Sequence, residues 1–233
     1  MRKPRLLDLF CCGGAAGKGY ADAGFEVVGV DRDFYRRNPH PMLVHDALAI
    51  PVELIRMFDA VHASPPCQGL TEMNNDKSRH LNLIPQTRAL LEASGLPYVI
   101  ENVRGAWQEL RDPVSLFGTM FDCHMVTSQG QRFDLSRERL FETNWPLTPA
   151  WDPGAQFPIA NVYGGHLRAR GGDYRTGKGT GRTVDFPGED RPALARQLLG
   201  TDWLSMGEMS ECVPPAYTAF IGEQLIQHLR EPI

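Results

Sequence analysis

The sequence predicts a single α/β domain built around a mostly parallel β-sheet. Short apolar segments alternate with segments of helical spacing over residues 5–143. Closely spaced glycines follow the first apolar segment, as in the turn between a strand and a helix. Residues suited to chemistry stand directly after several apolar segments, where a parallel sheet would bring them to one edge.

Length and composition agree with one soluble domain. The chain has 233 residues, of which 42% are hydrophobic and 22% are charged, so it can bury a sizeable core. Its apolar runs are shorter than the roughly 20 residues of a membrane-spanning helix, and its N-terminus lacks the apolar core of a signal peptide. We therefore expect a cytoplasmic protein without membrane contact.

The cysteines favour neither a disulfide framework nor a metal site. There are five of them, an odd number, and they include no C-x-x-C pair. This pattern is typical of a reducing compartment, and we expect no bound metal.

The first elements resemble a nucleotide-binding βαβ unit. A strand at residues 5–10, a helix through residues 20–23 and a strand at residues 25–30 are predicted, and Asp31 ends the second strand. Glycines in the turn let the backbone approach a ligand, and the terminal acid can accept hydrogen bonds from ribose hydroxyls. A tight turn that only packs the helix on the strand is the alternative. The turn contains Gly13, Gly14, Gly17 and Gly19.

The next strand ends in the loop with the most informative composition. A short third strand near Asp46 and a crossover helix at residues 51–57 precede a strand at residues 58–63, which leads into Ser64-Pro65-Pro66-Cys67-Gln68-Gly69. Two prolines fix the backbone before the thiol, and the glycine lets the chain turn away after it. The loop thus favours a reactive cysteine at position 67, although a buried cysteine is the commonest fate of that residue.

A second candidate for chemistry stands at the end of another strand. A helix at residues 83–94 stops at Gly95, and a strand at residues 97–100 runs into Glu101. A carboxyl at the end of a buried strand is suited to a raised pKa and to proton donation. A surface glutamate in an ion pair is the alternative.

Two arginines lie in a further predicted strand, residues 133–143. Arg137 and Arg139 are two residues apart, so a continuous strand would put both guanidiniums on one face. An exposed strand edge protected by charge is the alternative.

The alternation of strand and helix stops over residues 144–200, where a local basic patch stands against the formal net charge of −4. Basic residues with interspersed aromatic rings indicate phosphate contacts and base stacking. A disordered glycine-rich insertion is the alternative. The patch comprises Tyr163, His166, Arg168, Arg170, Tyr174, Arg175, Lys178 and Arg182.

The segments Asp8-Leu9-Phe10, Pro65-Pro66-Cys67-Gln68 and Glu101-Asn102-Val103 together resemble motifs of the DNA cytosine-5 methyltransferase family. The resemblance covers most of the chain. It implies a Rossmann-like S-adenosylmethionine-dependent methyltransferase fold, with residues 1–143 and 201–233 as the catalytic domain. Residues 144–200 would then form a small irregular target-recognition lobe. The chain departs from the family pattern at Cys12, Ala15, Leu135 and Glu223.

The resemblance also implies roles for individual residues. Cys67 would attack C6 of cytosine, Glu101 would donate a proton to N3, Arg139 would steady O2, and Arg137 would hold a phosphate or the mobile loop expected over residues 71–83. Phe10 would stack on the adenine of S-adenosylmethionine, Asp31 would hold its ribose and Asp46 its adenine amino group. The remaining implied cofactor contacts are Asp8, Gly13, Gly14, Pro66 and Gly222.

The expected activity is methyl transfer from S-adenosylmethionine to C5 of cytosine in double-stranded DNA, on a base flipped out of the duplex. The short recognition lobe suggests a monomeric phage or restriction–modification enzyme. Two alternatives stay open. The same chemistry could act on RNA or a free cytosine nucleotide, or the chain could be a non-catalytic DNA-binding relative.

Overall fold

The computed structural model describes residues 2–66, 82–173, 178–184 and 186–231. Its α-helices are α1 (Ala15–Ala23), α2 (Val52–Ile55), α3 (Ile84–Ser94), α4 (Arg191–Leu199), α5 (Met206–Glu211) and α6 (Pro215–Arg230). Its strands are β1 (Arg5–Leu9), β2 (Glu26–Asp31), β3 (Met42–Val44), β4 (Ala60–Ala63), β5 (Tyr98–Asn102), β6 (Val114–Leu116), β7 (His124–Val126), β8 (Arg132–Leu135), β9 (Arg139–Thr143), β10 (Ile159–Tyr163), β11 (His166–Asp173) and β12 (Lys178–Val184).

The main sheet confirms the predicted α/β class. Its seven strands lie in the order β3-β2-β1-β4-β5-β9-β6, and the first four neighbouring pairs are parallel while the last two are antiparallel. After β1, the chain adds β2 and β3 on one side of that strand. It then crosses over and adds β4 and β5 on the other side. Such a reversal of strand order opens a crevice at the carboxyl ends of the strands, where ligands bind in open α/β sheets.

Side chains alternate along each strand, so the sheet has two faces, and each of them packs against its own apolar cluster. Leu7 and Leu9 of β1 point into an apolar core with Val61 and Ala63 of β4. The opposite face carries Leu6 among apolar residues covered by α1 and α6. Buried polar side chains also occur in the parallel strands, and they include Asp8 of β1, His62 of β4 and Glu101 of β5.

Local signals place the helix ends. Gly95 ends α3 with a φ of 72°, the left-handed conformation expected of a helix C-cap. Gly14, with a φ of 77°, precedes α1, which begins at Ala15, five residues earlier than the predicted helix. The earlier start brings the N-terminus of α1 directly against the turn that follows β1.

A second sheet corrects the expectation of an irregular lobe. Its five strands lie in the order β12-β11-β10-β8-β7, so residues 144–200 contribute three strands, and β7 and β8 come from the segment before residue 144. Phe133 and Leu135 of β8 pack in its core with residues of β10 and α4. The periodicity of β10 to β12 was obscured in the sequence by their glycines and arginines.

The predicted continuous strand over residues 133–143 is also wrong. The chain leaves the second sheet after Leu135 and enters the main sheet at Arg139. Arg137 lies in the connection between two sheets, so its side chain and that of Arg139 do not share a strand face.

No helix in the described ranges is both long and apolar enough to cross a membrane.

Helices α1 and α6 pack at very short range. A Cβ built on Gly19 would overlap the Pro215 carbonyl oxygen, the Thr218 hydroxyl and the Ala219 backbone nitrogen. Two of these atoms belong to the backbone and cannot rotate away, so glycine is required at position 19.

We therefore expect Gly19→Ala to lower the free energy of unfolding by about 1–3 kcal/mol, the usual cost of overpacking. Gly207→Ala is the matched control, because this helical glycine has nothing within 4 Å of an added Cβ. The control should be neutral or stabilising by up to about 1 kcal/mol through helix propensity. Urea unfolding of both variants measures the difference, and equal stabilities would contradict the packing argument.

Candidate active site

A cavity of about 380 Å³ opens at the carboxyl ends of the parallel strands. This volume lies within the range of roughly 300–1,000 Å³ that is usual for small-molecule sites. Strands β1, β2, β4 and β5 all end at its wall. Of the residues predicted for the site, the wall includes Asp8, Phe10, Gly13, Asp31, Pro66, Glu101 and Arg139.

The turn after β1 adopts an unusual backbone. Phe10 and Cys12 have positive φ angles of 61° and 45°, which are uncommon for residues other than glycine. The turn is fixed to the end of β2, because the Cys12 N–H donates to Asp31 Oδ2 at 3.0 Å and the Cys11 N–H donates to the Val30 carbonyl at 3.1 Å. Cys12 thus occupies a left-handed position, which glycine adopts with less strain.

Asp31 is oriented by the same contacts. Besides the Cys12 N–H, its carboxylate accepts a hydrogen bond from the Asp33 N–H at 3.2 Å. The side chain is half-buried at the cavity wall. A carboxylate held in this way at the end of β2 can accept further hydrogen bonds from a ligand.

Asp8 is buried beside the cavity with little compensation. Neither carboxyl oxygen makes a hydrogen bond of normal geometry with a described residue, although the Gly17 backbone lies close by. Burial, with smaller contributions from the Asp31 and Glu101 carboxylates, raises the pKa of Asp8 to about 8. Asp8 is therefore protonated at neutral pH and can donate a hydrogen bond to a ligand.

Glu101 and Arg139 form a buried ion pair in the cavity wall. Arg139 Nε lies 3.0 Å from Glu101 Oε1, and the two side chains are 12% and 7% exposed. Burial raises the pKa of Glu101, and the Arg139 guanidinium and the Ser64 hydroxyl oppose this increase. Protonation of Glu101 would make its carboxyl a proton donor and would leave the Arg139 guanidinium available to an anion.

The loop before Cys67 is attached to the strand that carries Glu101. Asn102 Nδ2 donates a hydrogen bond to the Pro65 carbonyl at 3.0 Å. Pro66, the next residue, lines the cavity. Cys67 itself lies outside the described residues, as does the predicted catalytic loop up to residue 81.

Arg137 has a structural position that corrects its predicted role. It is 1% exposed, and its Nε donates to Asn161 Oδ1 at 2.9 Å. Its terminal nitrogens donate to the Cys212 carbonyl at 2.7 Å and the Val162 carbonyl at 2.6 Å. The guanidinium joins β10 to the end of α5 and presents no surface to a phosphate, and the loop that it was predicted to hold lies mostly outside the described residues.

Three predicted cofactor contacts are also absent from the cavity wall. Asp46 is exposed, and its carboxylate caps a 3₁₀ turn by accepting from the Leu48 N–H at 3.0 Å. Gly14 packs under the Asn38 side chain, and Gly222 faces Ala23 and Tyr20 between α1 and α6. These glycines allow close packing and do not line the cavity.

Sequence comparison and structure comparison give different results for this chain. No protein-family model matches it, and no curated protein matches it by sequence. Solved structures match it over nearly its whole length. A protein described as a DNA modification methyltransferase, encoded within an E. coli prophage, is 15% identical with a TM-score of 0.62, over 98% of this chain and 100% of the other. The Entamoeba histolytica methyltransferase EhMeth is 11% identical with a TM-score of 0.63, over 99% and 100% of the two chains.

A further match is the Dnmt2 methyltransferase of S. pombe, which is 12% identical with a TM-score of 0.57, over 99% and 100% of the two chains. The chain has a methyltransferase fold. The Rossmann-like, mostly parallel sheet predicted from the sequence is thereby confirmed.

One wall of the cavity in this methyltransferase fold was not predicted. It is formed by the segment that contains α5, and its residues in the wall are Leu204, Glu208, Glu211, Cys212 and Val213. The Ser205-x-x-Glu208 capping box is a sequence signal that predicts the start of this helix. Its location opposite the turn after β1 depends on tertiary packing, in which Trp203 Nε1 donates to the Gly13 carbonyl at 2.8 Å.

The cavity wall of the methyltransferase fold is rich in acids. The wall holds six carboxyl groups and two guanidiniums. Because Asp8 is protonated and Glu101 is paired with Arg139, four carboxyl groups are left against Arg32, so the wall favours a ligand that carries positive charge. The carboxyl groups belong to Asp8, Asp31, Asp33, Glu101, Glu208 and Glu211, and the guanidiniums to Arg32 and Arg139. No group of side chains suited to a metal ion occurs within the described ranges.

The predicted basic patch falls partly within the described residues. His166, Arg168 and Arg170 of β11 are exposed and alternate with the buried Leu167 and Ala169. Tyr163 pairs with His166 at the hairpin end, and Lys178 and Arg182 belong to β12. Tyr174 and Arg175 lie outside the described residues. Within the described residues, β11 and β12 pair in antiparallel fashion, so the alternative of a disordered insertion is wrong for these residues.

The position of Asp8 predicts how stability depends on pH. The carboxyl binds its proton more tightly in the folded state, with a pKa of about 8 against an unfolded value of about 3.9. Its contribution to stability is therefore complete below pH 4 and is lost as the pH rises towards 8. Asp8→Asn cannot ionise and avoids this loss.

The stability of Asp8→Asn relative to the unaltered protein should thus increase by about 1 kcal/mol or more between pH 5 and pH 8. Urea unfolding across this range measures the change. Asp22→Asn, at an exposed position of α1, controls for the chemistry of the substitution. A constant or decreasing difference for Asp8→Asn would contradict the buried, protonated carboxyl.

Proposed function

We propose that this chain transfers a methyl group from S-adenosylmethionine to C5 of cytosine in DNA, on a base rotated out of the duplex. The buried Glu101–Arg139 pair carries the proposal, because it lies beside the Pro65–Pro66 loop in a cavity at the carboxyl edge of the sheet. The methyltransferase fold and the description of the E. coli prophage protein as a DNA modification enzyme support it.

The cavity suits S-adenosylmethionine in shape and charge. Phe10 offers an aromatic ring at the wall, and Asp31 offers an oriented carboxylate. Gly13 lines the cavity, and an added Cβ there would overlap the side chain of Leu204, which lines it too. The excess of carboxyl groups favours the positively charged sulfonium. S-adenosylmethionine, when bound, supplies an electrophilic methyl group.

The residues around the cavity can make cytosine reactive. C5 of cytosine does not attack a methyl sulfonium unaided, but addition of the Cys67 thiolate to C6 converts C5 into an enamine-like nucleophile. Electron density then moves towards N3 and O2. In the proposed mechanism, Glu101 donates its proton to N3, and the Arg139 guanidinium stabilises the charge at O2.

Completion of the reaction restores the aromatic ring. After the methyl group is on C5, a base removes the C5 proton and the electrons of that C–H bond expel the Cys67 thiolate from C6. The N3 proton returns to the Glu101 carboxylate, which regenerates the acid and leaves neutral 5-methylcytosine. Water is the proposed base. The raised pKa of Glu101 suits the first step, because it favours the protonated form of the carboxyl, which is the form that can donate to N3.

The exposed side of β11 is the proposed contact with DNA. Its arginines can bind phosphates, and the rings of His166 and Tyr163 can contact bases. The small size of this surface agrees with a short recognition sequence, as in a phage or restriction–modification enzyme.

The direct test is to incubate the purified protein with S-adenosylmethionine and unmodified duplex DNA and to analyse the nucleosides by mass. 5-Methylcytosine is the expected product. Single-stranded DNA, RNA and dCMP in parallel reactions identify a different substrate. Binding of S-adenosylmethionine without methylation of any of these would favour a non-catalytic relative.

Cys67→Ala should abolish formation of 5-methylcytosine and leave S-adenosylmethionine affinity nearly unchanged, because the thiol acts on the base and not on the cofactor. Cys123→Ala is the matched control, since Cys123 does not line the cavity. Undiminished methylation by Cys67→Ala would rule out the covalent mechanism.

Glu101→Gln should lower kcat by about 10²- to 10⁴-fold, the usual contribution of a positioned acid. The amide keeps the shape of the side chain but cannot give a proton to N3. Single-turnover methylation measures the loss, with the exposed Glu92→Gln as control. A decrease of less than threefold would show that another group is the acid.

A further inference from the structure

A continuous hydrogen-bonded chain is buried between α1 and the sheet. The Tyr20 hydroxyl lies 3.0 Å from His62 Nδ1, and His62 Nε2 lies 2.9 Å from Ser64 Oγ. Ser64 lines the cavity together with Glu101, and its hydroxyl acts to lower the pKa of the Glu101 carboxyl. Tyr20 and His62 are 0% exposed, so water does not compete for the bond between them.

The atoms of this chain satisfy one another in only one direction when Glu101 is ionised. A carboxylate can only accept, so the Ser64 O–H donates to Glu101. Ser64 Oγ then accepts from His62 Nε2–H, which leaves Nδ1 as the acceptor of the Tyr20 O–H. This direction requires a neutral imidazole, and burial lowers the pKa of His62 to about 3.

The hydrogen-bonded chain occupies a position where apolar residues would also pack. His62 lies in β4 between β1 and β5, and Ala60 on the same face of β4 belongs to an apolar cluster. Burial of an imidazole and a phenol hydroxyl is unfavourable unless each polar atom is paired. Buried polar groups kept in this way beside a cavity suggest a function in the site.

We propose that Tyr20 and His62 are positioning residues that aim the Ser64 hydroxyl at Glu101. The inference rests on the proposed function only for its effect on methyl transfer. By donating to the ionised carboxylate, Ser64 stabilises the form of Glu101 that remains after the proton has passed to N3. The chain thereby makes Glu101 a stronger acid than burial alone would allow.

Other charged and titratable groups also face Glu101 and remain in place in the experiment below. Arg139 of β9 pairs with it, and Arg137 adds a smaller favourable charge. Asp8 of β1 and Cys212 after α5 also interact with it electrostatically. Single substitutions in the chain leave these groups unchanged, so a shift in the Glu101 pKa reports on the chain.

The test is a direct titration of Glu101 by ¹³C NMR in protein labelled at its glutamate carboxyls, with Glu101→Gln used to assign the resonance. Ser64→Ala should raise the Glu101 pKa by about one unit, because a hydrogen bond to a charged group is lost. Tyr20→Phe should raise it by less, and the double variant should match Ser64→Ala. Tyr98→Phe, which removes a buried hydroxyl bonded to Glu142, should cause no shift.

A Tyr20→Phe titration identical to that of Tyr98→Phe, or additive shifts in the double variant, would overturn the proposal. Ser64→Thr retains a hydroxyl and should restore the unaltered pKa, which separates hydrogen bonding from packing. The unaltered protein provides an independent check. ¹⁵N NMR of His62 should show a neutral ring protonated at Nε2, and the opposite tautomer or an imidazolium would contradict the chain.

Activity measurements distinguish this inference from the proposed function. If the protein methylates cytosine, the alkaline limb of its kcat/KM profile should move to higher pH in Ser64→Ala, in parallel with the NMR titration. NMR shifts without any methyl transfer would leave the hydrogen-bonded chain intact and refute the proposed reaction. If the protein transfers methyl groups, but the pH profile of kcat/KM and the NMR titration of Glu101 are the same in all variants, only the proposed role of the hydrogen-bonded chain is refuted.

Discussion

The packing of α1 against α6 is the constraint on which the rest of the structure depends. Gly19 lies against the Pro215 carbonyl, and Thr218 Oγ1 donates to the Ala16 carbonyl at 2.8 Å. Helix α1 starts at the turn after β1, and α6 directly follows the segment that contains α5. Their contact therefore brings the beginning and the end of the chain together, and the cavity forms between them.

The same contact creates a dry environment for polar groups. Helix α1 covers the sheet face that holds Asp8, His62 and Glu101, so water is largely excluded from all three. Burial raises the pKa of the two carboxyls and lowers that of the imidazole, as expected when charged forms lose hydration. Burial makes the charged form of each group unfavourable. It also places a set of proton donors and acceptors at the edge of the cavity.

Local sequence signals predicted the parallel strands of the main sheet well, but not its antiparallel strands β6 and β9. Gly95 ended its helix, and the apolar segments before Asp31 and Glu101 became strands, because these signals act within a few residues. The segment around Arg137 was misread for the opposite reason. A run of strand-like residues does not reveal that the chain changes sheets at residue 136, since the two halves are distinguished only by the distant strands with which they pair.

The sequence by itself determined the α/β class and the identity of the polar residues that meet at the carboxyl edge, because parallel strands must end at a common edge. Tertiary structure alone decided which of these residues share the cavity. It buried Arg137 among carbonyl groups, left Asp46 exposed as a helix cap, and placed the α5 segment and the Tyr20–His62–Ser64 chain beside Glu101. The physical reason is that burial and hydrogen-bond partners depend on residues far apart in sequence, which no local pattern contains.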